Sequence, residues 1–271
     1  LLKISKKNNI KIIKLINTGK HKDNLLLNVI EFFLIKLFNK FDNNLIFNNT
    51  GIFLKNFSRI NIENIKNIND REFIHNIKNN NYDYAFSICC NQIFKNELIS
   101  SFHRVINYHS SILPKYKGLN STLWSLLFKE KYTGFSYHYI DNKIDNGCII
   151  FQDKFKINYN HSYKKIEIFK TLLARRSLQK VISLVTKNFK GNKQKKNGSY
   201  FGKNEIKKLI TFKKIKNINN IKKIINIWGG IIFIKKNKKY FITKISNTGK
   251  ILRISHYPVF IYKIIKLIKG N

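Results

Sequence analysis

Apolar positions along the chain recur at two different spacings, and each change of spacing marks out an element. Residues 10–16, IKIIKLI, are rich in β-branched side chains and stop at Thr18-Gly19, which predicts a strand. Between Leu25 and Phe38 the side chains Leu26, Val29, Ile30, Phe33 and Leu37 fall three and four apart, the spacing of one helix face. The short stretch Asn61–Asn69 holds a strand or a turn. Asp70 carries the short carboxylate that accepts from the unpaired N–H groups of a first turn, so a helix is expected over Arg71–Lys78. Asp83–Cys90, DYAFSICC, is continuously apolar in its middle and reads as a buried strand.

Farther along, Val105–His109 alternates as a strand does. Phe135–Ile140 and Cys148–Phe155 flank a polar loop containing Asp145-Asn146-Gly147, a hairpin pattern. Ser162–Lys190 predicts a long amphipathic helix with Leu178, Val181, Ile182 and Val185 as its apolar stripe. KGNKQKKNG, at 190–198, has the composition of a linker. A basic helical stretch follows around 204–227, then a hairpin of GIIFI and YFITKI joined across Lys235–Lys239. Strand and helix alternate through the first part, which favours an α/β fold: a Rossmann-like, mostly parallel sheet with helices on both faces. The expected organisation is one large domain over 1–190, a linker over 191–204, and a small C-terminal unit with a β-hairpin over 205–271.

Composition changes the picture only modestly. The 271 residues are enough to bury a sizeable core. A net charge of +38 points to an anionic partner such as RNA. Only six of the 52 basic residues are Arg, however, and Arg is the residue suited to bidentate phosphate and base contacts. Lys, Ile and Asn dominate every segment together, so most of the charge is read as compositional background, with tRNA its best functional use. Cys89, Cys90 and Cys148 have no CxxC spacing, which argues for a reducing compartment without disulfides or a zinc site. No apolar run reaches the length of a membrane span, and no signal peptide is visible, so the expectation is a cytoplasmic protein without a membrane partner. The chain opens Leu-Leu and holds no Met; an incomplete N-terminus and a compositional depletion of Met both account for this.

Candidate chemistry sits at the end of the strand 105–109. Successive side chains alternate across a strand, so Asn107 and His109 share one face, roughly 7 Å apart along the backbone. They lie at the carboxyl end of a strand, where open α/β sheets bind ligands. Ser110–Gly118 then forms a loop in which Pro114 fixes one turn and Gly118 frees another. Periodicity alone stops at an α/β domain with a polar cluster.

The stretch INYHSSILPKYKGLNSTLW, followed by EKYTGFSYHYIDNKIDNGCII, resembles the formyltransferase family that uses 10-formyltetrahydrofolate. Its members include methionyl-tRNA, glycinamide ribonucleotide and sugar N-formyltransferases. The matching positions are Asn107, His109, Ser111, Leu113, Pro114, Tyr116 and Gly118, then Glu130, Thr133, Gly134 and His138, then Asp145 and Gly147. They fall in order over 41 residues. The resemblance is clear over about 60–155, weaker over 160–202 and thin elsewhere. Lys117 stands where the family usually has Arg, Cys148 lies just after the glycine position, and the family's first strand and its loop, expected before residue 10, are not found.

The resemblance implies catalytic roles for Asn107, His109 and Asp145. The Asn107 amide would donate to the oxyanion on the formyl group, and His109 would carry the proton. Asp145 would orient His109 and help to remove the amine's proton. It also implies a folate site along Ile88, Cys89, Cys90, Gln92, Ile93, Ile140, Asp141 and Ile144, a substrate loop through Ser110, Ser111, Leu113, Pro114, Tyr116 and Gly118, and no metal. His21, His75, His103, His161 and His256 have no partner pattern. The acceptor expected first is the methionyl amino group of initiator tRNA, for which the C-terminal hairpin and the charge speak. A nucleotide-linked amino sugar is the second, for which GSYFGKNEIKKLITFKK (198–214) speaks. A non-catalytic homologue kept as a binding module is the third.

Overall fold

The structure is a computed structural model, and it describes residues 15–17, 62–88, 90, 92–195, 197–212, 217–228, 230–235 and 238–255. The helix expected over Leu25–Phe38, most of the strand expected at 10–16, Cys89, and the turn joining the last hairpin lie outside the described residues. Leu15–Asn17 (β1) pairs in parallel with Ile62–Asn64 (β2). Helix α1, Arg71–Asn79, begins where the capping argument puts it: the Asp70 side chain accepts from the N–H groups of Glu72 and Phe73. Its Phe73, Ile74 and Ile77 are buried with Ile68 and with Leu98 of a short helix α2, Asn96–Ile99.

The main sheet runs in the order β3 (Tyr84–Ile88), β4 (Arg104–His109), β6 (Tyr132–Tyr139), β7 (Ile149–Lys156). β3 and β4 are parallel, as a crossover through α2 requires, and the hairpin strand β6 is antiparallel both to β4 and to its partner β7. The α/β class holds, with parallel pairing on one side of this sheet and hairpin pairing on the other. β3 is less buried than its apolar run predicts. Ile88 is 52% exposed, because β3 pairs on one side only among the described residues.

Alternation fixes what each sheet face does. Ile106 of β4 and Phe135, Tyr137 and Tyr139 of β6 point to one side. They bury against Ala174, Leu178, Val181, Ile182 and Val185 of helix α4, Tyr163–Thr186, whose N-cap is Ser162. Each such aliphatic side chain contributes about 1.5–3 kcal/mol by leaving water. The opposite face at the same level is polar: Ser87, Asn107 and His138 are register partners across β3, β4 and β6, with Ser136 opposite His109.

Between β4 and β6 the chain passes through a two-residue strand β5, Lys117–Gly118, and helix α3, Ser121–Leu127. β5 pairs in parallel with β8, Tyr200–Phe201. The segment expected as a linker is therefore in contact with the domain: Asn192 bridges to Ile149, and Ser199 accepts from the Tyr116 N–H. Beyond it come α5 (Lys203–Ile210), β9 (Thr211–Phe212), α6 (Ile218–Trp228) and the strands β10 (Ile231–Lys235), β11 (Lys238–Ile245) and β12 (Ile251–Ser255). The last three are an antiparallel meander with β9 added in parallel to β10, and α6 buries Ile221, Ile224 and Ile225 against it.

Candidate active site

β4 delivers Asn107 and His109 to the polar face, and two loops bring a carboxylate to meet them. The hairpin loop after β6 folds back because Gly147 packs against the Tyr139 carbonyl, where an added Cβ would lie 1.9 Å from that oxygen. Asp145 adopts φ +50° within this loop. The Gln194 side chain ties the loop down by donating to the carbonyls of Asp145 and Gly147, both at 2.9 Å. From the other side the Ser110–Gly118 loop supplies the Gly118 N–H, which donates to Asp145 Oδ2 at 2.8 Å. Gly118 has φ +87°, a conformation that a side chain would strain.

Four side chains converge as a result. Asp145 Oδ2 lies 3.4 Å from His109 Nδ1, and Oδ1 lies 3.4 Å from His138 Nε2. Asn107 Nδ2 donates to Asp145 Oδ1 at 3.3 Å and to His138 Nε2 at 3.1 Å. Asn107, His109 and Asp145, singled out from the sequence, are thus together. His138 joins them without having been singled out for a role.

Backbone carbonyls set the proton positions. A carbonyl oxygen can only accept, so His109 Nε2, 2.8 Å from the Tyr116 carbonyl, carries a proton. His138 Nδ1, 2.7 Å from the Tyr139 carbonyl, does too. In the His109 ring the nitrogen that gains or loses a proton is therefore the one facing Asp145. Burial pushes the His109 imidazole below its ordinary value, against the opposing pull of the Asp145 carboxylate and the Tyr116 carbonyl. Burial raises the Asp145 carboxyl, but the His138 hydrogen bond, the His109 ring and the Gly118 N–H outweigh it and hold the group below the usual carboxylate range. At neutral pH the site is a neutral imidazole with a bare Nδ1 facing an ionised carboxylate.

The loop residues expected to meet substrate are mostly occupied in shaping the site. Ser111 is buried and donates to the Lys115 carbonyl, Leu113 is buried, and the Leu113–Pro114 bond is cis. Tyr116 has φ +60°, donates through its hydroxyl to Glu130, and turns its carbonyl to His109. Ser110 donates to Glu167. Lys117, where an Arg was expected, donates to Asn146 Oδ1 at 2.6 Å.

Of the expected folate wall, Ile88, Ile93 and Ile144 expose half their surface or close to it. Ile140 is half-buried, with its N–H on the Val105 carbonyl, and Asp141 accepts from the Lys143 N–H. Cys90 packs among the side chains around α1. The Gln92 amide is committed to the Ile68 N–H and the Lys66 carbonyl. Among the described residues no group of three or more His, Cys, Asp or Glu could hold a metal ion, and no helix is long and apolar enough to cross a membrane.

Residues 46–173 match the family described as formyl transferase. The methionyl-tRNA formyltransferase of Finegoldia magna is 28% identical over 130 residues, 48% of this chain and 42% of that protein. The GDP-perosamine N-formyltransferase of Brucella melitensis is 33% identical over 100 residues, 36% of this chain and 38% of that one. The matches thus span about two-fifths of the length of either relative. Among solved structures, a sugar 3N-formyl transferase determined in the presence of dTDP and 5-N-formyl-THF superposes with a TM-score of 0.52 at 25% identity, covering 88% of both chains.

Proposed function

We propose, from the match of residues 46–173 to the formyl transferase family, that the chain transfers a formyl group from 10-formyltetrahydrofolate to a primary amine. The observation that carries the proposal is the single carboxylate, Asp145, lying 3.4 Å from His109 Nδ1 and 3.3 Å from Asn107 Nδ2. The surroundings fit a folate. Ile144, next to Asp145, offers half-exposed apolar surface beside the polar cluster, as a flat heteroaromatic ring requires.

The folate supplies the formyl group as an N-formyl amide, open to attack by a neutral amine. Asn107 has two N–H groups, and the longer of its two bonds, to Asp145, is the one a formyl oxygen exchanges with as charge builds on it. His109 Nδ1 takes the proton the amine loses and returns it to the departing folate nitrogen, while Nε2 stays on the Tyr116 carbonyl. Asp145 keeps the ring oriented and stabilises the imidazolium while it exists. His138 and the Gly118 N–H hold Asp145 ionised for that purpose.

For the acceptor, the reading taken first is the methionyl amino group of initiator tRNA. The Finegoldia relative, the charge of +38 and a further sheet beyond residue 204 support it. A nucleotide-linked amino sugar is the second, supported by the Brucella relative and by the sugar enzyme whose structure was determined with dTDP. The test is to incubate the chain with 10-formyltetrahydrofolate and each acceptor in turn while following release of tetrahydrofolate. Release that needs methionyl-tRNA, with binding that weakens steeply as salt rises, establishes the first reading. Release with an amino sugar nucleotide and indifference to tRNA replaces it with the second, and no release with either refutes the transferase proposal.

A further inference from the structure

Lys170, on α4, is fully buried, and nothing in the proposed chemistry uses it. Its Nζ donates to the carbonyl of Ser110 at 2.8 Å and to the Thr122 hydroxyl, and lies 3.9 Å from Glu167 Oε1. Ser110 is the residue directly after His109. Its carbonyl also accepts from the Ser121 hydroxyl at 2.6 Å, and its own hydroxyl donates to Glu167 at 3.2 Å. Thr122 donates to the same carboxylate. Lys170, Thr122, Glu167 and Ser110 therefore close a ring of hydrogen bonds behind the loop, and both polar groups of Ser110 are held.

Burying an ammonium costs several kcal/mol of desolvation, and an apolar side chain of similar length would fill the space without that cost. What the lysine adds is a charged donor on one particular carbonyl. We infer that Lys170 is a positioning residue for His109: clamped on the Ser110 carbonyl, it fixes the end of β4 from which the His109 ring projects between the Tyr116 carbonyl and Asp145. The inference rests on the formyl-transfer reading for its functional consequence, though not for its effect on the ring. It carries an electrostatic corollary. The groups facing His109 are Asp145, which favours its protonated form, and His138 and Lys170, which oppose it. Burial in turn pulls the Lys170 ammonium down to about 8, so it is mostly charged at neutral pH and helps to keep His109 neutral and able to take a proton.

The test follows the His109 ring signal by NMR through a pH titration in the unmodified chain, Lys170→Met and Lys170→Gln, with the signal assigned by its loss in His109→Gln. Steady-state rates are measured alongside. In Lys170→Met the His109 titration moves up by about half a unit or more as the opposing charge is lost. The same variant loses about tenfold or more in kcat, as misplaced groups do, while KM for the folate stays within about threefold. Lys170→Gln restores a donor without the charge, so it recovers part of kcat and keeps the raised titration. A titration superimposable on the unmodified chain, with kcat within about twofold, overturns the inference.

If Lys170→Met does not fold, Lys170→Gln carries the test: its His109 titration should lie above that of the unmodified chain, and a superimposable titration there also overturns the inference. If the unmodified chain releases no tetrahydrofolate, the formyl-transfer reading fails, and the substrate-free titration alone decides whether Lys170 sets the His109 ring.

Discussion

At the scale of single residues, Asp145 is the group on which the others depend. It faces Asn107, His109, His138 and the Gly118 N–H at once, so its loss leaves the Asn107 amide and the Gly118 N–H without their acceptor. His109→Ala and Asp145→Ala are each expected to lower tetrahydrofolate release by about 10²–10⁴-fold with the fold retained, checked by assay beside circular dichroism. The pH dependence follows from the burial of His109. Its folded value lies below 6.5, so as pH falls from 6.5 the unfolded chain takes up this proton first and stability is lost down through the lowered value. The rate falls through the same lowered value, because Nδ1 must be bare to accept a proton. Asp145, held below 3.8, contributes stability above 3.8 that is lost only as pH falls through its lowered value. The rate profile of the unmodified chain should therefore carry an acid limb below pH 6.5, and a rate that does not fall as pH drops below 6.5 would contradict this assignment.

Elements carry the legibility of the site. Alternation along 105–109 was enough to put Asn107 and His109 on one face, and they lie there. The same alternation applied to the hairpin strand puts Ser136 and His138 on one face of β6, with His138 directly opposite Asn107. His138 went unassigned because alternation gives a face and not a register, and register is set by long-range pairing that one strand cannot disclose. Helix α1 was legible to within a residue because Asp70 is a local cap. The partial exposure of β3, which pairs on one side only among the described residues, was not, because an apolar run does not count a strand's neighbours. Gly147 illustrates a requirement hidden inside a turn pattern. Asp-Asn-Gly reads as a tight turn, whereas the glycine is needed for its contact with the Tyr139 carbonyl. Gly147→Ala should cost about 1–3 kcal/mol in urea unfolding and lower activity with it, since the displaced loop carries Asp145.

Across the whole molecule the composition was the poorest guide. Lys and Asn in long runs gave 190–198 the look of a tether, yet hydrogen bonding in that region depends on where each residue lands and not on its type. Gln194 lands on the Asp145–Gly147 loop, Ser199 on the Tyr116 N–H, and Phe201 stacks on Trp124 with ring centroids 4.1 Å apart. β8 then lies alongside β5, whose Gly118 holds the carboxylate.

That late return of the chain decides where the polypeptide can be divided. A piece ending at residue 190 keeps every reacting side chain and loses the strap that shapes them. It should release tetrahydrofolate at least about a hundredfold more slowly than a piece ending after Phe212, although both retain α4 and the main sheet. Equal rates from the two would mean that the strap only decorates a site already complete, and the seam for excising a minimal enzyme would then run upstream of Gln194 instead of downstream of Phe201.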